Sequence, residues 1–225
     1  MAPRMATMPV PSTRGQPGLQ PGWFATAPAL ALLASEQDSV RAALADRPGQ
    51  PWLWLSPAIA DQGEVPGQGL RLQATAGGWA GSVRCALPLP LANESVAAVV
   101  IQHVALAGKQ ADALLAECTR VLVPGGRLSL FCLNPLSPWR WRWAGDGPGA
   151  SEPMPWRRRL RAAGLLPEPV SQGLGPRWGV VADAGLQHGP GMRAAWLLRA
   201  EKRVLPLTPL RSRAPLRIGG GVPAA

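Results

Sequence analysis

The stretch from Ser95 to Leu133 constrains this chain more than any other. Ser95–His103 is a Val/Ile-rich run, continuous rather than alternating. A strand covered on both faces reads that way. Gln110–Val121 then places Leu114, Leu115, Cys118, Val121 and the following Leu122 at helical spacing, which makes one face of a helix apolar. Val123-Pro124-Gly125-Gly126 stops that helix, and Arg127–Leu133 is a second apolar run. Strand, helix, glycine-bounded turn and strand make a βαβ unit. Such a unit demands parallel strands joined by a right-handed crossover.

The rest of the chain fits around that unit. Met1–Pro21 has no period and many turn formers, and reads as a disordered lead-in over 1–21. From Pro28 an amphipathic helix is expected, with Leu30, Leu33, Val40 and Leu44 on its apolar side and an end near Asp46, before Pro48-Gly49. Trp52–Leu55 reads as a buried strand and Gly69–Thr75 as an alternating one. A further helix is expected over Pro155–Gly164 and a late strand over Arg193–Val204. Thr208–Ala225 is rich in Pro, Gly and Arg and reads as a disordered basic tail over 208–225. One domain, 22–207, lies between the two ends.

Composition narrows the chemistry. Three cysteines and two histidines are too few and too scattered for a disulfide framework or a zinc site, so no metal is expected. Cys85, Cys118 and Cys132 read as small core hydrophobes. No apolar run reaches the roughly 18 residues of a membrane span, and residues 1–22 lack a signal-peptide core. A cytoplasmic protein is expected. Net charge is +10, and residues 139–225, with fourteen Lys+Arg against five Asp+Glu, hold most of it. An anionic partner such as nucleic acid would suit that third of the chain, but a solvated basic face is the preferred reading. Trp139-Arg-Trp-Arg-Trp143 interleaves aromatics with guanidinium groups, a pattern suited to single-stranded nucleic acid or to a membrane surface. The preferred reading is a packed lid, with Trp on one side and Arg in solvent. Trp156-Arg-Arg-Arg159 reads as a solvated helix face and Asn134 as a turn residue.

Several segments resemble the class I S-adenosylmethionine-dependent methyltransferases of the small-molecule type. In that family a Leu-Pro loop precedes a strand of the form SFDxVxxxHxLE, as Leu87-Pro-Leu-Pro-Leu-Ala-Asn-Glu-Ser95 precedes Val96–His103 here. The family's helix ends in E…RVLxPGGxL, matched by Glu117, Arg120-Val121-Leu122, Pro124, Gly125 and Gly126. Phe131-Cys-Leu-Asn-Pro-Leu-Ser-Pro-Trp139 is similar to the FNPxSLW turn of a proteobacterial subgroup, and Arg161-Ala-Ala-Gly-Leu165 to the family's LxxAGF helix end. Ala195–Arg211 is similar to that subgroup's closing strand and tail, so the resemblance runs from about Trp23 to Arg211. It implies an α/β fold, a Rossmann-like, mostly parallel sheet of about seven strands with helices on both faces. It also implies methyl transfer from S-adenosylmethionine to an acceptor the sequence leaves unknown.

The family's first strand ends in an acid and a Gly-rich turn, and its second strand in an acid that accepts hydrogen bonds from the ribose hydroxyls. This sequence departs at both places. Ser56-Pro57 follows the first strand, where proline has no N–H to donate, and Gln73 stands near the end of the second. A neutral glutamine accepts more weakly than a carboxylate. The expected cofactor pocket is built from Ser56, Pro57, Gln73, Leu87, Pro88 and His103. His103 reads either as a general base or as a turn histidine satisfied by a backbone carbonyl. Two functions follow: a methyltransferase with a divergent motif, or a degenerate methyltransferase fold that serves as a binding or regulatory module.

Overall fold

In a computed structural model, which describes residues 23–57, 65, 67–75, 78–104, 108–142 and 149–203, the Val/Ile run is strand β4, Val96–Gln102, and every residue of it is buried. The lead-in, the tail, most of the segment after Pro57 and Trp143 lie outside the described residues. A strand with no exposed face needs a layer on each side, and the helices supply both. On one side lies α1 (Ala27–Leu44), on the other α2 (Gly108–Val121) and α3 (Pro153–Ala162). The side chains divide accordingly. In β1 (Trp52–Ser56), Leu53 and Leu55 join the α2–α3 core, whereas Trp52 and Trp54 join the α1 core.

Beside β4 run β2 (Gly69–Thr75), β1 and β5 (Leu122–Leu133), and β2, β1, β4 and β5 are parallel neighbours in that order. The sheet has nine strands rather than about seven, because short antiparallel strands extend both sides of the parallel core. β3 (Gly78–Gly81) folds back on β2 across residues 76–77, a link with no room for a crossover helix. On the other side β9 (Ala195–Lys202) runs antiparallel to β5 and carries β6 (Leu165–Pro167) and β7 (Gln172–Leu174) along its far edge, with β8 (Gln187–His188) beside β7.

Most elements fall within two residues of their sequence positions, but three details differ. β5 begins at Leu122, five residues before the expected Arg127, because Leu122 already pairs with Val96, so the Pro-Gly-Gly segment lies within the strand. Leu30 is 49% exposed, and the buried stripe of α1 is instead Ala29, Leu32, Leu33, Glu36, Val40 and Leu44, with an acid in the core. Trp156 is also buried, among the α2–α3 core residues, so only part of the Trp156–Arg159 segment is solvated.

The Pro-Gly-Gly segment has a steric explanation. Between the pairs Val96↔Leu122 and Ala98↔Arg127 the register shifts, so extra residues of β5 must loop outward. Gly125 turns there with φ +72°, a left-handed conformation that glycine adopts without penalty. A Cβ on Gly126 would lie 2.9 Å from the Ala97 carbonyl oxygen and 2.8 Å from Leu122 Cγ. Gly126→Ala is expected to destabilise the protein by about 1–3 kcal/mol through overpacking against backbone, read as a lower urea midpoint. An unchanged midpoint would remove this account of the motif.

Candidate functional site

The parallel strands end level with one another. Ser56 of β1 faces Gln73 of β2, Leu55 faces Ile101 of β4, and Gln102 faces Phe131 of β5. Open parallel sheets bind ligands outside these carboxyl ends. Alternation puts Trp54, Ser56, Arg71, Gln73 and Gln102 on the α1 face, and the contacts among them agree. The Arg71 guanidinium lies 4.4 Å from the centre of the Trp54 ring, and its Nε is 3.5 Å from Ser56 Oγ.

Beneath this edge is a buried polar network. Trp54 Nε1 donates to Gln102 Oε1 at 3.2 Å, and Gln102 Nε2 donates to Glu36 Oε2 at 2.8 Å. His103 Nε2 is 2.8 and 2.9 Å from the two Glu36 oxygens. The side chains of Glu36 and His103 have no exposed surface. His103 sits at φ 47°, a left-handed conformation that histidine adopts more readily than most residues, and its N–H donates to the Phe131 carbonyl at 3.0 Å. A carboxylate can only accept, so a neutral ring donates from Nε2 and keeps its lone pair on Nδ1. Nδ1 is buried without a hydrogen-bond partner among the described residues. The Phe24 ring lies nearby, 6.2 Å from the His103 ring between centroids.

The expected pocket residues therefore divide into two groups. Ser56, Pro57, Gln73 and His103 lie at or just past the ends of adjacent strands. Leu87 and Pro88, joined by a cis peptide bond, lie in the β3–β4 connection, which is tied to α2. Glu117 accepts from the Leu89 N–H at 2.9 Å. Arg120 donates to the carbonyls of Leu89 and Leu91, at 3.1 and 2.8 Å, and to Asn93 Oδ1 at 2.7 Å. The two side chains also bond each other at 2.8 Å. The Glu and Arg of the E…RVLxPGG segment are thus a clamp on the Leu-Pro loop.

Sequence reasoning missed Glu36 and Gln102. Glu36 does carry a signal, since it stands between Leu32 and Val40 on the buried stripe. Asn134 is a turn residue as expected. Its Oδ1 accepts the Leu136 N–H, and its Nδ2 donates to the Gly191 and Arg193 carbonyls. The Trp/Arg segment lies in the 3-10 turn Pro138–Arg142, where Trp139 is buried and Trp141 faces outward. Cys118 and Cys132 are buried, and burial raises both thiols, Cys118 to about 12, so neither is a ready thiolate nucleophile.

Two predictions follow from the polar groups. Glu36→Leu leaves Gln102 Nε2 and His103 Nε2 buried without their acceptor, which costs roughly 2–6 kcal/mol. Glu36→Gln, which keeps one acceptor oxygen, is expected to cost less. Denaturant midpoints of the two variants check the order. The Glu117 carboxyl is held below its ordinary value chiefly by the hydrogen bond from Arg120. Its folded pKa is lower than its unfolded one, so this stabilisation is complete above the unfolded range, about pH 4.3. It is lost as pH falls through the folded value. Between about pH 5 and pH 3 the midpoint of the native protein should therefore fall more steeply than that of Glu117→Gln. Parallel curves would rule this out.

Residues 73–130, from the end of β2 through β4, α2 and most of β5, match a family described as a methyltransferase domain. None of the curated proteins matches the sequence. Among solved structures the chain is similar to a SAM-dependent methyltransferase of Thermotoga maritima, described as a possible histamine N-methyltransferase. Identity is 16% and the TM-score 0.53, over 81% of this chain and 94% of that one. It is also similar to a chain from the complex of the Haloferax volcanii Trm112 methyltransferase activator with a methyltransferase. There identity is 11% and the TM-score 0.50, over 83% of this chain and 98% of that one. At such identities the structures speak to the fold alone, and the family match covers only residues 73–130. The chain has the fold of the class I S-adenosylmethionine-dependent methyltransferases, and its 73–130 segment matches a methyltransferase domain.

Proposed function

We propose that this chain transfers a methyl group from S-adenosylmethionine to a small-molecule acceptor at the carboxyl edge of β1, β2 and β4. The observation that carries the reading is the pairing of Ser56 with Gln73 at that edge, with Arg71 Nε 3.5 Å from Ser56 Oγ and His103 just past the end of β4, in a sheet whose 73–130 segment matches a methyltransferase domain.

The residues present suit the cofactor. Its amino-acid end carries a carboxylate, and Arg71 sets a guanidinium beside Ser56. Its ribose carries two hydroxyls, and the Gln73 amide, level with Ser56 near the end of β2, is the group assigned to accept from them. Pro57 is assigned to the base as apolar surface, and Leu87 and Pro88 would join it only from the β3–β4 connection. When bound, the cofactor supplies an electrophilic methyl on a sulfonium. In a neutral His103 ring that donates to Glu36 through Nε2, Nδ1 is the nitrogen that can take the acceptor's proton. An acceptor must displace the groups that now cover Nδ1, and the Phe24 ring is close by. Positioning supplies much of the acceleration of such a displacement.

Titration calorimetry of the full chain with S-adenosylmethionine and S-adenosylhomocysteine tests the reading. Micromolar binding is expected, weakened about tenfold in Gln73→Ala by loss of its hydrogen bonds. No binding at millimolar ligand by well-folded protein overturns it and leaves a methyltransferase-like scaffold with a binding role.

A further inference from the structure

Three connections converge on the same carboxyl edge. One follows β5, one follows β7 and one precedes β9, and Leu133, Leu174 and Ala195 lie in register there. The connections are stapled together. Asn134 Nδ2 donates to the Gly191 carbonyl, Ser137 Oγ to the Met192 carbonyl at 3.0 Å, and Arg142 Nη2 to the Trp178 carbonyl at 3.2 Å. Arg193, bonded to the Gly175 carbonyl at 2.9 Å and to Asp183 at 2.8 Å, ties the β7 connection to the start of β9.

Their outer surface is apolar in a way the rest of the fold does not require. Leu136, Trp141, Trp178 and Val181 are exposed by 70, 74, 64 and 75%, and Met192 is half exposed. Single exposed apolar side chains are ordinary, but five on linked connections mark an interaction site. Arg140 and Arg142 stand among them, the first with its guanidinium 5.0 Å from the Trp141 ring. Neither forms an ion pair with a described residue.

The mixture decides between partners. A single nucleic-acid strand is held by a basic groove with stacking aromatics. Leu136, Val181 and Met192 have no ring to stack. A lipid surface takes all three kinds of side chain: aliphatics below the headgroups, tryptophans at headgroup level and arginines against anionic headgroups.

We propose that the carboxyl edge docks on an anionic lipid bilayer through Leu136, Trp141, Trp178, Val181 and Met192, with Arg140 and Arg142 against the headgroups, and that the methyl acceptor is an amphipathic molecule held at that surface. The docking stands on these residues alone. The statement about the acceptor rests on the proposed methyl transfer, whose site lies at the same edge.

The test is co-sedimentation of the full chain with phosphatidylcholine vesicles, with and without phosphatidylglycerol. Binding is expected to the anionic vesicles. It should fall about tenfold in the double variant Trp141→Ala/Trp178→Ala, from the lost apolar area. It should fall about fivefold as well in Arg140→Gln, which leaves the Arg142 staple in place. All three side chains are exposed, and a thermal melt confirms that the variants fold. Vesicle binding that neither variant reduces overturns the proposal, because the surface then plays no part. Binding of oligothymidylate without vesicle binding, lost in the tryptophan variant, overturns it in favour of nucleic acid. Calorimetry with S-adenosylmethionine separates the two readings: docking without cofactor binding sinks the methyl transfer and keeps the surface.

Discussion

The complete burial of β4 is the constraint on which the other features rest. Seven consecutive buried residues oblige the chain to build helices on both faces of the sheet. The apolar residues meet that demand by packing. Gln102 and His103, at the carboxyl end, cannot, because buried polar groups need partners. Glu36 supplies those partners from α1, and so the helix that covers the sheet also fixes the polar end of its central strand. The network leaves one histidine nitrogen unpartnered among the described residues, at the edge where open parallel sheets hold ligands.

The same edge gathers the molecule's other unusual surfaces. On one side it carries Arg71 stacked on Trp54 beside Ser56. On the other it carries the connections with Trp141 and Trp178. The antiparallel strand β9 is responsible for this arrangement. Its register with β5 and β7 brings three connections to the level of the parallel strand ends.

Much of the fold is legible because its signals are local. The Val/Ile run of β4 and the apolar stripe of α2 each depend on neighbouring residues and form within two residues of the expected place, whereas β5 starts at Leu122, ahead of the Pro-Gly-Gly turn. The turn is legible for a steric reason, since Gly125 and Gly126 occupy positions that a Cβ would strain or fill. The site is less legible. Ser56, Gln73 and His103 stand at strand ends, which the sequence marks. Glu36 lies 67 positions before His103, and no pattern along the chain pairs them. The Leu30 expectation fails for a related reason: a helical stripe drifts, and only the packing partner decides which edge of it is covered.

By itself, then, the sequence determined the βαβ core, the two-sided burial of β4 and the glycine turn near the start of β5, because hydrophobic period and glycine conformation act over a few residues. Only the tertiary structure decided the antiparallel extensions on both sides, the clamp of Glu117 and Arg120 on the Leu-Pro loop, the Glu36–His103 contact and the outward turn of Trp141. Each of these depends on which distant groups meet, and contact across the fold sets hydrogen-bond partners and exposure that the order of residues leaves open.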